Sequence, residues 1–396
     1  MADWSNWSGR HRAKVKQLHH LRSEDDAAAL AAEATRQNLR IRAAGTGHSH
    51  APLIPNDDII VDTSGLAGVQ SIDHGTNRVW IGAGTKIVAL GAPLHAAGLA
   101  LANQGDIDQQ AIAGAVGTGT HGTGIALRNL SSAVTGVRIA TAGGELLTAN
   151  AEQHSQLWQA ARLHLGAFGI ITAVEMQLRP RYRLRERGWQ ARYDEITAEI
   201  DRHATEHRHF EFFWYPKTDT AFAKTLDETD EPPIYPLAEE GQRLAWSHEV
   251  LPNHRPHKHT EMEYSVPAEH GIACFDAIRN LLRTRFTDVL WPVEYRTLAA
   301  DDVWLSTAYA RPTVTLSVHQ TTDADETDYY RACEEIFRSF EGRPHWGKMH
   351  YLDGSTMQTI HPRWSDWWRE RNLVDPMCTF LNPFLESLGT DSGVLR

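Results

Sequence analysis

The run Ile112-Ala113-Gly114-Ala115-Val116-Gly117-Thr118-Gly119-Thr120-His121-Gly122-Thr123-Gly124 constrains this chain more than any other stretch. Five glycines within the eleven residues from Gly114 to Gly124 let backbone N–H groups come close to a large ligand, a pyrophosphate or a ring system. Taken alone, the run fits a structural glycine loop equally well. Gly117–Gly122 spells G-x-G-x-x-G, yet the dinucleotide-binding context fails. No clean strand precedes it, Ile125–Leu130 is a weak helix start, and Glu145 merely follows a Gly-Gly turn. No Gly-Lys-Ser/Thr follows, which removes the P-loop reading.

At about 100–200 residues per domain, 396 residues should form two or three packed units. The texture divides accordingly into 1–179, 180–341 and 342–396. In the first, Ser23 should cap a helix reaching Asn38, with Asp26 in its first turn. Strands are expected at Leu39–Arg42, Asp58–Asp62, Leu66–His74, Val79–Gly82, Val134–Thr141, Glu145–Leu147 and Ile170–Leu178. Helices should cover Lys86–Ala97, stopped by Gly98, and Glu152–Leu163. Strands not regularly separated by helices indicate α+β rather than a doubly wound sheet. The second unit is richer in charge and aromatics, with strands at Glu211–Tyr215 and Thr313–Val318 and a surface loop over Asp227–Glu240. In the third, Trp364-Ser365-Asp366-Trp367-Trp368 should lie on an amphipathic helix.

Composition narrows the partners. Asp and Glu number 50 against 39 Lys and Arg, a net charge of −11, which argues against nucleic acid and anionic membranes. Three cysteines are too few and scattered for a disulfide framework or a Cys-ligated zinc site. The first thirty residues lack an apolar core and no 18-residue apolar run occurs, so a cytoplasmic protein is expected. Nothing in the residues fixes an oligomeric state. The 22 histidines invite a metal reading. Its best cluster, His254-Arg255-Pro256-His257-Lys258-His259, has no carboxylate to complete a site and has opposing cations, so no metal is expected.

Two further passages resemble the central run in kind: Ala44-Gly45-Thr46-Gly47-His48-Ser49, which places an imidazole in a small-residue loop, and Leu165-Gly166-Ala167-Phe168-Gly169-Ile170-Ile171. The ordered set resembles the FAD-binding domain of the vanillyl-alcohol-oxidase type. The resemblance implies FAD held by Ala44, Gly45, Thr46, Gly47, His48, Ser49, Gly114, Gly117, Thr118, Gly119, His121, Gly122, Gly169, Ile171, His345 and Lys348. It also implies a covalent 8α link to His48, because the family's covalent histidine stands in this loop. Glu294-x-Arg296, His319-Gln320-Thr321, Arg343-Pro344-His345-Trp346-Gly347-Lys348 and Asp375-Pro376 … Leu381-Asn382-Pro383 extend the likeness over essentially the whole chain. They resemble the sugar-acid lactone oxidase and alditol oxidase branch. The implied fold is two-domain: a bipartite α+β FAD-binding domain, a mixed α/β cap around an antiparallel sheet, and a C-terminal segment packing back on the first.

On a strand, residues i and i+2 face the same way, so Glu294 and Arg296 should share a pocket. The implied chemistry is oxidation of a hydroxyl carbon by hydride transfer to flavin N5. Glu294 would orient or deprotonate the hydroxyl, and Arg296 should keep that carboxylate ionised. Arg296 and Lys348 would stabilise charge on the flavin edge. His319, Thr321 and Glu263 would bind the substrate oxygens. An aldono-1,4-lactone (gulono-, galactono- or arabinono-) is the leading substrate, with reoxidation by O2 favoured over another acceptor. An alditol oxidase is the near alternative. A carbohydrate-binding protein that has lost the chemistry is the distant one.

Overall fold

A computed structural model describes residues 1–395. Ser23 caps the helix Glu24–Arg36, its hydroxyl accepting from the Asp26 N–H at 3.1 Å, and the three acids of the first turn complement the helix dipole. The alanine face of this helix, Ala27, Ala31 and Ala34, packs on Ile41, Ile59 and Val61 of a small parallel sheet. Its strand order is Gln17–His20, Ile59–Asp62, Ile41–Ala44. The third strand begins two residues later than expected, because the Leu39 N–H still bonds the Ala34 carbonyl as the chain leaves the helix. A five-stranded antiparallel sheet adjoins it, ordered Leu146–Asn150, Val134–Ala140, Ile170–Gln177, Arg78–Gly82, Val69–Asp73. The helix Ile87–Ala96 stops where expected, at Gly98 with φ +80°. The helix expected over Glu152–Leu163 shortens to Ser155–Ala161, with His154 left-handed ahead of it.

The second half forms one eight-stranded antiparallel sheet. Its order is Leu244–Trp246, Arg183–Arg192, Thr220–Thr229, His209–Tyr215, Val293–Leu298, Thr313–Thr321, His259–Pro267, Arg343–Pro344. Arg183–Arg192 and Thr220–Thr229 pair over ten residues each, so the strand takes the first part of the expected Asp227–Glu240 loop. Alternating charge disguised the first of these strands. Leu184 and Glu186 point inward, and Glu186 is buried because Arg243 answers it. The chain is α+β, with helices set against antiparallel sheets.

The last fifty residues return to the first half. The Ile41 N–H bonds the Thr379 carbonyl, Asn382 donates to the Pro52 and Pro55 carbonyls, and Trp367 Nε1 donates to Leu163 O. Trp364, Trp367 and Trp368 of the helix Trp364–Val374 are all buried. Arg42 is fully buried and donates to the carbonyls of Leu53, Leu165, Gly166 and Phe380, tying two glycine loops to this segment. No described helix is long and apolar enough to cross a membrane.

Candidate active site

The three glycine passages come together. Gly45–Ser49 follows the strand Ile41–Ala44. Gly114 and Gly117 lie in the short helix Ile112–Gly117, and Gly166 and Gly169 precede the strand Ile170–Gln177. Between them is a cleft of about 890 Å³, with six glycines among the residues that line it. Close approach explains two of these glycines. A Cβ on Gly45 would lie 2.7 Å from Ala111 Cβ, and one on Gly117 would lie 2.5 Å from the His164 ring. Gly114 differs, because a Cβ there would meet nothing within 4 Å and would project into open space. On its lining, His48 stacks on Trp7 with ring centroids 5.3 Å apart, and its Nδ1 is buried without a partner. Burial, with the Lys348 and Lys86 cations adding to it, takes the His48 imidazole down to about 4, so the ring is neutral at pH 7.

Gln110 lines this cleft and also a second, larger cavity of about 1520 Å³ bounded by the eight-stranded sheet. The sheet register sets its chemistry. Glu294 pairs with Ser317, Arg296 with Thr315, Glu263 with Ser317 and Glu261 with His319, so three neighbouring strands contribute side chains to one wall. Arg296 stands between two carboxylates. Its Nη2 contacts Glu263 Oε2 closely and lies 3.2 Å from Glu294 Oε2. Glu263 also accepts from His121 Nε2 at 3.0 Å and from Ser317 Oγ at 2.7 Å. Burial alone would raise the Glu263 carboxyl, but Arg296, His121 and His345 outweigh it and hold the group well below the usual range.

Glu294 behaves oppositely, which corrects the expectation that Arg296 keeps it ionised. Burial dominates, Arg296 opposes it only in part, and Glu211, Asp106 and Glu261 add repulsion, so the carboxyl is pushed up to about 8. One guanidinium cannot neutralise two buried carboxylates, and Glu263 holds it more closely. Burial places His319 at about 4, and its Nδ1–H donates to the Pro292 carbonyl at 2.9 Å.

Family models match both halves: residues 16–150 an FAD binding domain, and residues 174–249 and 236–388 the D-arabinono-1,4-lactone oxidase model. An L-gulono-1,4-lactone dehydrogenase of Mycobacterium tuberculosis is 33% identical over 96% of this chain and 97% of that protein. The chain belongs to the D-arabinono-1,4-lactone oxidase family. An alditol oxidase of a Streptomyces species is 27% identical over 97% of this chain and 98% of that protein. Cholesterol oxidase from B. sterolicum superimposes with a TM-score of 0.86 at 18% identity, over 98% of this chain and 96% of that one, and so shares the fold.

The lactone-oxidase-family cleft suits FAD on its own geometry. It offers a glycine-rich lining, open space beside Gly114, and an imidazole whose buried Nδ1 has no partner. Gly45, Thr46, Gly47, His48, Ser49, Gly114, Gly117, Thr118, Gly169 and Ile171 line it. Ala44, Gly119, Gly122, His121, His345 and Lys348 do not. Ala44 is buried against Val15 and Ile60. A Cβ on Gly119 would press on Leu163, and one on Gly122 would strike the Gln104 carbonyl, so both glycines serve packing. His121, His345 and Lys348 line the second cavity, together with Glu263, Glu294, Arg296 and His319. Thr321, paired with His259 at the end of its strand, is not among the residues that line it. Sequence reasoning missed Arg42, Gln110 and His164 in the first cleft, and Asp106, Trp291, His259 and Glu261 in the second. The spacing His259-x-Glu261-x-Glu263 was a usable signal, since it sets all three on one strand face.

Proposed function

We propose that this chain oxidises a hydroxyl-bearing carbon of a small sugar-derived substrate, an aldono-1,4-lactone of the gulono, galactono or arabinono type. The observation that carries this reading is the buried Glu294–Arg296 pair on the wall of a cavity that shares Gln110 with the FAD cleft. When bound, FAD supplies the hydride acceptor at N5. Glu294, in its ionised form, accepts the proton of the reacting hydroxyl. Arg296, fixed by Glu263, keeps a positive charge beside the oxygen as it becomes negative. The Nε2 of neutral His319 is free to accept from a substrate hydroxyl, because the ring proton sits on Nδ1. Lys348 holds a second positive charge at the cavity wall.

In this reading the neutral His48 would hold the flavin covalently through its 8α carbon, supported by the unpartnered nitrogen and by the place of His48 on the cleft lining. Residues 1–179 form the FAD-binding half, 180–341 the cap, and 342–396 the segment that closes the site. The test is a panel of aldonolactones and alditols mixed anaerobically with the yellow holoenzyme. Bleaching by a lactone, at lower concentration than by any alditol, is expected; no bleaching by either class overturns the reading. Oxygen uptake measured beside reduction of an artificial acceptor identifies the acceptor, and oxygen uptake is expected.

A further inference from the structure

On one side of the second cavity, His50, His259 and Glu261 have no part in the proposed oxidation. Three imidazoles converge on the carboxylate of Glu261. His50 Nε2 lies 3.7 Å and His259 Nε2 3.6 Å from Oε2, and His319 Nε2 lies 3.7 Å from Oε1. Glu261, His50 and His259 are buried, and none of these separations is a hydrogen bond. The tautomers explain why. Nδ1 of His259 sits 2.9 Å from the His257 carbonyl, and Nδ1 of His319 sits 2.9 Å from the Pro292 carbonyl. A carbonyl only accepts, so each ring donates from Nδ1, and in its neutral form turns a bare Nε2 lone pair toward a carboxylate oxygen.

Lone pairs facing a carboxylate repel unless a cation lies among them. Lys348 Nζ contacts Glu261 Oε2, but among the described residues it bonds none of the three rings. An imidazole anchored through Nδ1–H to a backbone carbonyl, with Nε2 free, is the usual posture of a metal ligand, and His259 holds it, while His50 Nδ1 is buried without a partner. The ligand atoms of His50, His259 and Glu261 lie within 4.8 Å of one another. Two atoms each about 2.1 Å from one ion and 3.6 Å apart subtend roughly 120°, close to tetrahedral. Trp7 and Trp291 pack on the His259 ring at 5.4 and 5.2 Å and supply an apolar shell.

We propose that His50, His259 and Glu261 form a site for one divalent transition ion that favours imidazole, such as Zn2+. His319 faces the other carboxylate oxygen, and the remaining coordination position opens to the cavity for an oxygen donor. The His254–His259 run has no carboxylate of its own and has Arg255 and Lys258 as opposing cations. Strand alternation places Glu261 beside His259, and the register sets His319 directly across from Glu261. Binding displaces Lys348 from Oε2, because an ammonium and a dication repel at one oxygen.

The test is Zn2+ titration of chelator-treated holoenzyme by calorimetry, with Co2+ absorption reporting the ligand geometry. One ion per chain with a Kd in the micromolar range or below is expected. His259→Gln and Glu261→Gln should each weaken binding by at least the ~10–100-fold that loss of an outer-shell partner costs. Lys348→Met should tighten it. The double change His254→Gln/His257→Gln, in the exposed part of the loop, should leave it unaltered. Flavin content and circular dichroism confirm that each variant is folded. Substoichiometric binding by the unaltered chain overturns the proposal. So does binding that survives both His259→Gln and Glu261→Gln, binding lost with the loop histidines, or no tightening in Lys348→Met.

Discussion

The pH dependence of flavin reduction tests the Glu294 assignment most sharply. The carboxyl is pushed up to about 8 from an ordinary 4.5, by burial first and then by Glu211, Asp106 and Glu261, with Arg296 opposing. If its ionised form accepts the substrate proton, only about 1% of the enzyme is competent at pH 6, given an acidity constant near 8. In anaerobic stopped-flow mixing with saturating lactone, the reduction rate should climb about tenfold per pH unit from pH 6 and level off above pH 8. Glu294→Gln should keep FAD, lose most of the rate and flatten the profile. The same shift has a stability consequence of definite sign. Because the folded chain holds the proton more tightly than the unfolded one, stability is unaffected below pH 4.5 and falls as pH rises toward about 8. The full loss is on the order of 5 kcal/mol, at about 1.36 kcal/mol per tenfold change in acidity. Glu294→Gln should remove that slope in urea unfolding. A wild-type rate that is level from pH 6 to 9, or a Glu294→Gln profile with the wild-type shape, refutes the assignment.

Acid precipitation should leave yellow colour in the pellet of the unaltered protein and in the supernatant of His48→Ala; colour in the wild-type supernatant denies the covalent link. Gly114→Leu adds a side chain where nothing stands within 4 Å, so it should give a folded chain with little FAD, read as a native far-ultraviolet spectrum with a low flavin-to-protein ratio. Glu263→Ala strips Arg296, His121 and Ser317 of a shared acceptor and should cost about 3–5 kcal/mol in urea unfolding, besides slowing flavin reduction. Replacing Arg42 with Met leaves the carbonyls of Leu53, Leu165, Gly166 and Phe380 without their donor. That variant should unfold at lower urea and release flavin faster.

The glycine passages, the capped first helix, the Glu294-x-Arg296 alternation and the Trp364 helix were legible from the sequence, because each rests on local rules of backbone freedom, capping and side-chain periodicity. Those rules reach only a few residues along the chain. They could place Glu294 and Arg296 on one face. They could not show that Glu263, 31 positions earlier, would claim the guanidinium and leave Glu294 protonated. They placed Glu261 two residues beyond His259, but not the imidazoles of His50 and His319, which reach the same carboxylate from distant parts of the chain. They also grouped His121, His345 and Lys348 with the cofactor residues, whereas in the folded chain all three line the second cavity. Local pattern thus marked the glycine loops that border the first cleft and a carboxylate–guanidinium pair on one strand face. Charge states and neighbours came from the folded chain, since burial and the pairing of distant strands set the electrostatic balance at the site.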